Sequence, residues 1–359
     1  MVISGPGPYI MDWSVISPLG VGRESFVDGL REGRTGSYAG GRPHVGYPVA
    51  GFDPAALIGT KGTRTLDRMT LMVIATSTMV LRNPAPTGSD DGATGLVLGT
   101  STGSVASITD FLRDTFVQDK PYFVNPALFP NTVMNNAAGR TAIWHGLRGL
   151  NSTVSGGHVT GLAALRYATR MLRRGYADTL LVGGVEELSE PVAWAAHRVR
   201  ARSARPLGEG CGVFLVQSAQ VAARSGRQPL AEIVDFEFGV VGPGEEGTRA
   251  QRLAETVGNL LDRTGTKPAD LWLVSLAQSG DGDLDAAEQA ALGLADLADV
   301  RGIAPARQIG NTFSALGTFQ LAAVLATAEG EGTPPDGRRP CLITSLGLDG
   351  AVAAALVRA

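Results

Sequence analysis

Apolar residues fall into two recurring patterns along the 359 residues: short continuous runs bounded by glycine, and longer stretches spaced three and four apart. The first pattern predicts buried strands and the second predicts helices with one apolar face, and the two alternate. The clearest unit is residues 152–184, STVSGGHVTGLAALRYATRMLRRGYADTLLVGG. Ser152 to Ser155 predicts a short strand, Gly156 and Gly157 a sharp reversal, and His158 the start of a helix. Leu162, Leu165, Met171 and Leu172 recur along it at helical spacing. Arg166, Arg170, Arg173 and Arg174 put charge on the other face and near the C-terminal end, where the helix dipole favours cations. Gly175 predicts the stop, and TLLVGG a buried strand.

The rest of the chain repeats this alternation. Residues 1–36 read as strand, loop and helix, and residues 37–64, rich in Gly and Pro, as a surface loop. A largely buried helix is predicted from about Leu66 to Leu81, then a core strand in TGLVLGTSTG. Residues 104–120 predict an amphipathic helix with Ile108, Phe111, Leu112, Thr115 and Phe116 on one side, for which core packing is the ordinary expectation. PYFVNPALFPNTVMNNAAGR reads as irregular, then helical from about Asn131, and GEGCGVFLV as a strand closing a first half. From about Ala223 the alternation resumes through AEIVDFEFGVV, GTRAQRLAETVGNLLDRTG, LWLVSLAQ, DAAEQAALGLA and VRGIAP. A buried helix in FSALGTFQLAAVLATAEG and a hairpin in CLITSLGLDGAVAAALVRA finish it. Two similar halves, 1–222 and 223–359, are expected.

Composition narrows the class without choosing a chemistry. Forty-eight glycines against 6% aromatics favour an α/β fold with close strand–helix packing over a helix bundle. A net charge of -3 offers no basic excess for nucleic acid. No apolar run reaches the ~18 residues that span a bilayer, and MVISGPGPYIMDW lacks a signal peptide's basic-then-apolar order, so a cytoplasmic, membrane-free protein is expected. Cys211 and Cys341 lie in apolar strand contexts and read as reduced core thiols. His44, His145 and His197, the histidines besides His158, lack metal-ligand spacing, and no Gly-rich loop reads as a phosphate cradle; no metal or other cofactor is expected.

Residues 152–184 resemble the active-site segment of the β-ketoacyl synthases, condensing enzymes of the thiolase fold, which show a pattern like VSTACxSGLxAL with a reactive Cys opening the helix. Gly161-Leu162 and Gly183-Gly184 with Glu186 anchor the match. WSVISPLG, the turn Leu147-Arg148-Gly149-Leu150-Asn151 and GEGCGVFLV, similar to the family's GEGAGVLVL, extend it over nearly the whole chain. The resemblance implies two βαβ-type halves in a five-layered α-β-α-β-α sandwich. The first half would carry the nucleophile position and the second the histidine loops.

At the matched positions the condensing chemistry is missing. Decarboxylative condensation needs a thiolate to hold the acyl chain, two imidazoles to stabilise the enolate and backbone donors for the oxyanion. His158 stands in the Cys position, at a helix start whose field disfavours imidazolium, and an acyl imidazole is too labile to store a chain; a polar plug is expected. The family's HGTGT loop, placed by Asp285 and Glu288, is AQSGDG at 277–282 and has no His. Its GHxxGAxG motif is Gly310 to Gly317, with Asn311 in the His place and Ala306 in the place of the preceding Lys. Its GFGG loop is Gly347-Leu348-Asp349-Gly350, whose carboxylate would repel an oxyanion. No residue is therefore assigned a catalytic role, and His158, Ala306 and Asn311 are read as degenerate positions. The segment from Arg202 to Gly208 is shorter than in the family, which would remove a cap from the active-site face. The other reading is a condensing-fold acyltransferase or hydrolase that uses His158 or Ser155.

One subunit type of the family is similar in these losses: the chain length factor, or ketosynthase β subunit, of type II polyketide synthases, which lacks the Cys and usually has Gln there. SGDGDLDAAEQAAL is closer to its AGVPxLDxAEAxAL pattern than to HGTGT, and GGVEELSEPVAW resembles its GGVDSALxPWGW; His158 in place of Gln is a departure. The resemblance implies a subunit that pairs with an active ketosynthase and shapes the tunnel setting polyketide or polyene length. The growing chain would be tethered to acyl carrier protein. Ile108, Phe111, Leu112, Thr115 and Trp194 would line or close that tunnel. Met134, Asn135 and Asn136, with the strand Asn151, Ser152, Thr153, Val154 and Ser155, would lie at the dimer interface. Arg198, Arg200, Arg202 and Arg205 would attract an acidic carrier protein or simply form a solvated basic face.

Overall fold

One strand order, used twice, organises the chain. In the first half β1 (Tyr9–Ser17), β3 (Gly95–Gly99), β4 (Asn151–Val154), β5 (Thr179–Glu186) and β6 (Gly210–Gln217) lie in the order β4-β3-β5-β6-β1, and a short β2 (Gly20–Val21) pairs with β1. In the second half β7 (Ala231–Val240), β8 (Leu273–Ser275), β9 (Gly302–Ile303), β10 (Pro340–Leu346) and β11 (Ala351–Arg358) lie in the order β9-β8-β10-β11-β7. Counted within its half, each set runs third, second, fourth, fifth, first. Orientations match as well: β3 is parallel to β4 and β5 as β8 is to β9 and β10, while β6 and β11 run antiparallel to both neighbours. Antiparallel pairing of Tyr9 with Glu232 and Ile10 with Ala231 joins the halves edge to edge. This computed structural model describes residues 7–38, 46–82, 93–199, 205–242, 249–332 and 338–359.

The helices are α1 (Arg23–Arg31), α2 (Pro54–Ile58), α3 (Arg68–Leu81), α4 (Val105–Val117), α5 (Asn136–His145), α6 (Thr160–Arg173), α7 (Glu190–Val199) and α8 (Ala219–Arg224) in the first part of the chain. They continue as α9 (Arg249–Thr264), α10 (Gly282–Leu294), α11 (Ala306–Ile309) and α12 (Leu316–Glu331). Helices α6 and α12 pack between the two strand sets, with Leu162, Leu165, Phe319 and Val324 meeting Val182, Phe214, Ile343 and Ala355 in one core. Helices α3 and α5 cover the outer face of the first set, and α9 and α10 that of the second. Five layers result. Covered on both faces, β3, β5 and β6 are buried along their whole length, which is why their sequences are unbroken apolar runs. For the same reason α12 is buried all round from Leu316 to Ala326 and shows no polar stripe there. Among the described residues no helix is long and apolar enough to cross a membrane.

Boundaries differ from expectation where local chemistry overrides spacing. Pro126 and Pro130 hold residues 126–132 in a 3-10 turn, so the helix expected from about Asn131 begins at Asn136. A 3-10 turn, Gly157–Val159, likewise precedes α6. The described part of 37–64 contains α2, N-capped by Asp53, and a bridge between Tyr47 and Gly208. A division after residue 222 falls inside α8, which Ser218 caps and which buries Ala222. Cys211 and Cys341 are buried free thiols.

Candidate functional site

Beyond β4 the chain turns at Gly157, whose φ of 60° favours glycine, and an added Cβ would sit 2.5 Å from Asp349 Oδ2. Gly156 is extended at φ 179°. His158 follows, 5% exposed, its ring meeting Phe313 edge-on at 4.4 Å and 75°. Phe313 has φ 49°, a strained conformation for a bulky residue, and Asn311 Oδ1 supports it by accepting from its backbone N–H at 2.8 Å. The Asn311 amide oxygen is thus engaged by the local turn. Asp349 curls back to accept from Ala351 N at 3.2 Å, which leaves a carboxylate against the turn that leads into His158.

Ala306 is buried and packs its methyl with Ala277 and Leu316. Apolar contact therefore occupies the place where a lysine and a histidine loop would face each other. In that loop Gln278, φ 35°, accepts from Arg307 Nε at 2.9 Å through its side-chain oxygen. Its carbonyl accepts from Arg205 Nε at 3.1 Å. The described end of segment 202–208, Arg205 to Gly208, lies against this face. Asn311 N donates to Pro206 O at 2.8 Å, Gly208 N donates to Asn311 O at 2.9 Å, and Arg205 packs on Gly280, where a Cβ would lie 2.2 Å from its own. Arg205 also approaches Asp285 to 3.9 Å, so its side chain points into the protein; Arg200, Arg202 and His44 lie outside the described residues.

Three buried carboxyl groups brace the region. Glu186 accepts from Ser101 N at 2.9 Å and Thr102 Oγ1 at 3.0 Å, and from Ser314 Oγ, tying β5 to the turn that carries Asn311; burial pushes its pKa up. Glu288 accepts from Ala277 N at 2.9 Å, Gln278 N at 3.0 Å and Thr344 Oγ1 at 2.6 Å. Glu187 accepts from Ala106 N at 3.0 Å in the first turn of α4. Burial pushes both Glu288 and Glu187 up to about 7 from 4.5, with Asp67 and Glu186 adding to the rise at Glu187.

Because the folded pKa lies above the unfolded one, the folded chain holds protons between about pH 4.5 and 7 that the unfolded chain has released, so stability falls as pH rises through that window and levels off above it. Melting temperature should be higher near about pH 5.5 than near about pH 8, and Glu288→Gln should flatten the slope. A melting temperature that climbs across the same interval would contradict this account.

Helix α4 buries none of its residues within this chain. Ile108, Phe111 and Thr115 are half-buried, while Leu112 and Phe116 are exposed. Phe111 meets Phe129 edge-on at 5.8 Å. Trp194 is exposed on α7, with the Arg198 guanidinium 4.7 Å above its ring, and α4 packs against α7. The five residues expected at a tunnel thus lie on two touching helices, where the default of core packing for α4 does not hold. Leu112, Phe116, Val117, Phe123, Phe129 and Trp194 are all large apolar residues left exposed by this chain.

Strand β4 is terminal in the sheet, pairing with β3 alone among the described strands. Asn151 and Ser155 are exposed, and Ser152, Thr153 and Val154 are half-buried. Met134 is half-buried and Asn135 exposed. Asn136 is buried within this chain, donating to Asn131 Oδ1 at 3.0 Å and Thr70 Oγ1 at 3.3 Å, because it opens α5 against α3. Ser155 is exposed, whereas His158 is buried under Phe313.

The sequence profile described as "Beta-ketoacyl synthase, N-terminal domain" matches residues 10–222. The chain belongs to the β-ketoacyl synthase family. The repeated strand order and five layers are that family's thiolase fold. The solved structure "The ishigamide ketosynthase/chain length factor" is similar at 35% identity and a TM-score of 0.87, over 98% of this chain and 99% of that one. The tetracenomycin polyketide synthase ketoacyl synthase alpha subunit of Streptomyces glaucescens is 27% identical over 93% of this chain and 86% of that protein. The 3-oxoacyl-(acyl-carrier-protein) synthase 2 of Vibrio cholerae serotype O1 is 27% identical over 56% of this chain, and the chain spans 54% of that relative's length. Within this β-ketoacyl synthase frame, sequence reasoning missed Phe313 as the cover of His158 and Glu187 as a cap on α4. The double acid in GGVEEL was the available signal for the second.

Proposed function

We propose that this chain is a non-catalytic chain length factor. It pairs with an active ketosynthase and supplies one wall of the tunnel in which a polyketide or polyene grows while tethered to acyl carrier protein. The observation that carries this reading is His158, an imidazole buried edge-on under Phe313 where the family mounts its thiolate. Asn311 committed to its own turn, Ala306 packed on Ala277 and the Asp349 carboxylate beside Gly157 support it. They leave neither a second imidazole nor an uncharged oxyanion cradle. The uncovered apolar faces of α4 and α7 and the terminal edge of β4 are surfaces that an obligate partner would bury. A similar structure named for a ketosynthase with a chain length factor, and relatives named as an alpha subunit and as an acyl-carrier-protein synthase, fit the same assembly.

Co-expression with a candidate ketosynthase, followed by size and intact-mass measurement, tests the pairing. A stable complex with one copy of each chain is expected; an acyl group recovered on His158 or Ser155 would replace this reading with the acyltransferase alternative. In the reconstituted pair Phe111→Ala should shift products toward longer chains by at least one extender unit, since it opens the Phe111–Phe129 contact beside α4. An unchanged length distribution for this variant and for a small residue at Leu112 would remove α4 from the tunnel.

A further inference from the structure

A helix with no buried side chain is not positioned by core packing, yet α4 carries Ile108, Phe111, Leu112 and Thr115. Besides the partial packing of α4 on α7 and on Phe129, its N-terminus is held by hydrogen bonds. Ser104 caps the helix, its Oγ accepting from Ser107 N at 3.3 Å. Glu187 Oε1 accepts from Ala106 N at 3.0 Å, and Ser104 Oγ lies 3.2 Å from both carboxylate oxygens. Two of the four N–H groups that a helix start leaves unpaired are thereby satisfied. Glu187 is 4% exposed and stands between the end of β5 and the start of α7. It is therefore joined by chain to the helix bearing Trp194 and by hydrogen bonds to the helix bearing the other four residues.

We propose that Glu187 is a positioning residue that sets α4 against α7, and through them the length at which the enclosed chain stops; this rests on the tunnel reading above. The Ser of the GGVDSALxPWGW pattern is too short to reach Ala106 N in this way, so the device belongs to this chain's GGVEEL. Reach is the property that matters, since a carboxyl oxygen accepts from Ala106 N whether or not the group is ionised.

Glu187→Gln keeps the reach and an acceptor, whereas Glu187→Asp keeps the charge and retracts it by about 1.5 Å. In the co-expressed pair Glu187→Gln should exchange its α4 amides and distribute product lengths as the wild type does. Glu187→Asp should speed exchange at Ala106 and the following amides about tenfold and broaden the length distribution. Polar variants of one another, both are chosen to preserve folding, which the melting temperature checks. Three outcomes overturn the proposal: exchange and products unchanged in Glu187→Asp, Gln and Asp equally impaired, or exchange accelerated with products unmoved. A wild-type chain that pairs with no ketosynthase would instead bring down the tunnel reading itself.

Discussion

Phe116→Lys should weaken the complex with a ketosynthase by about thirtyfold or more, while leaving this chain's own melting temperature nearly unchanged. Phe116 is 86% exposed in the last turn of α4, so nothing inside the chain depends on its ring. Replacing an exposed residue away from caps and cores moves stability by about 0.5 kcal/mol at most. Lysine is chosen over aspartate because the C-terminal end of a helix favours a cation. In the complex the same position would desolvate an ammonium group at an apolar contact. Thirtyfold corresponds to about 2 kcal/mol, the scale of an aromatic anchor lost from the centre of an interface. Sedimentation or titration calorimetry on separately purified subunits reads the affinity, and calorimetric melting reads the fold. Tight pairing by the Lys variant would move the interface off α4.

The alternation of strands and helices was legible because burial on both faces writes itself as continuous apolar runs, and β5, β6 and α12 carry it plainly. The repeat of topology was legible only as alternation. Strand order depends on which edges meet, and the pairing of Ile10 with Ala231 leaves no mark in either segment. The losses at His158, Ala306 and Asn311 were readable as substitutions against a family pattern. What replaces the lost groups was not. The cover itself is tertiary, since the His158–Phe313 contact joins segments far apart in the chain, while the Asn311 bond that supports Phe313 at positive φ is a local turn. The same limit hid the bonds of Pro206 and Gly208 to Asn311, which hold the end of the short segment against this face. For α4 the periodicity was right and the inference from it incomplete, because an apolar stripe states that a face is to be covered and not by which chain.

The covering helices depend in turn on a buried ion pair that the GEG of GEGCGVFLV supplies. Glu209 is fully buried and accepts from Val49 N at 2.7 Å, Leu188 N at 3.2 Å and Arg68 Nε at 3.0 Å, with the second Arg68 nitrogen on its other oxygen. Arg68 opens α3, so one carboxylate links that helix, the segment before it and the β5–α7 junction next to Glu187. Arg68→Ala should destabilise the chain by about 3 kcal/mol, the low end for breaking a buried pair, because the guanidinium is partly exposed and water can take some of its place. Arg68→Lys should fall between, since a point ammonium cannot reproduce the two-pronged contact. Adding Glu209→Gln to Arg68→Ala should recover part of the loss, because the uncompensated charge, more than the missing bond, sets its size. Denaturant melts of the wild type, Arg68→Ala, Glu209→Gln and the double variant close the cycle. Additive losses from the two substitutions would mean that the carboxylate is held by Val49 and Leu188 alone, and that α3 and the α7 junction are anchored independently of each other.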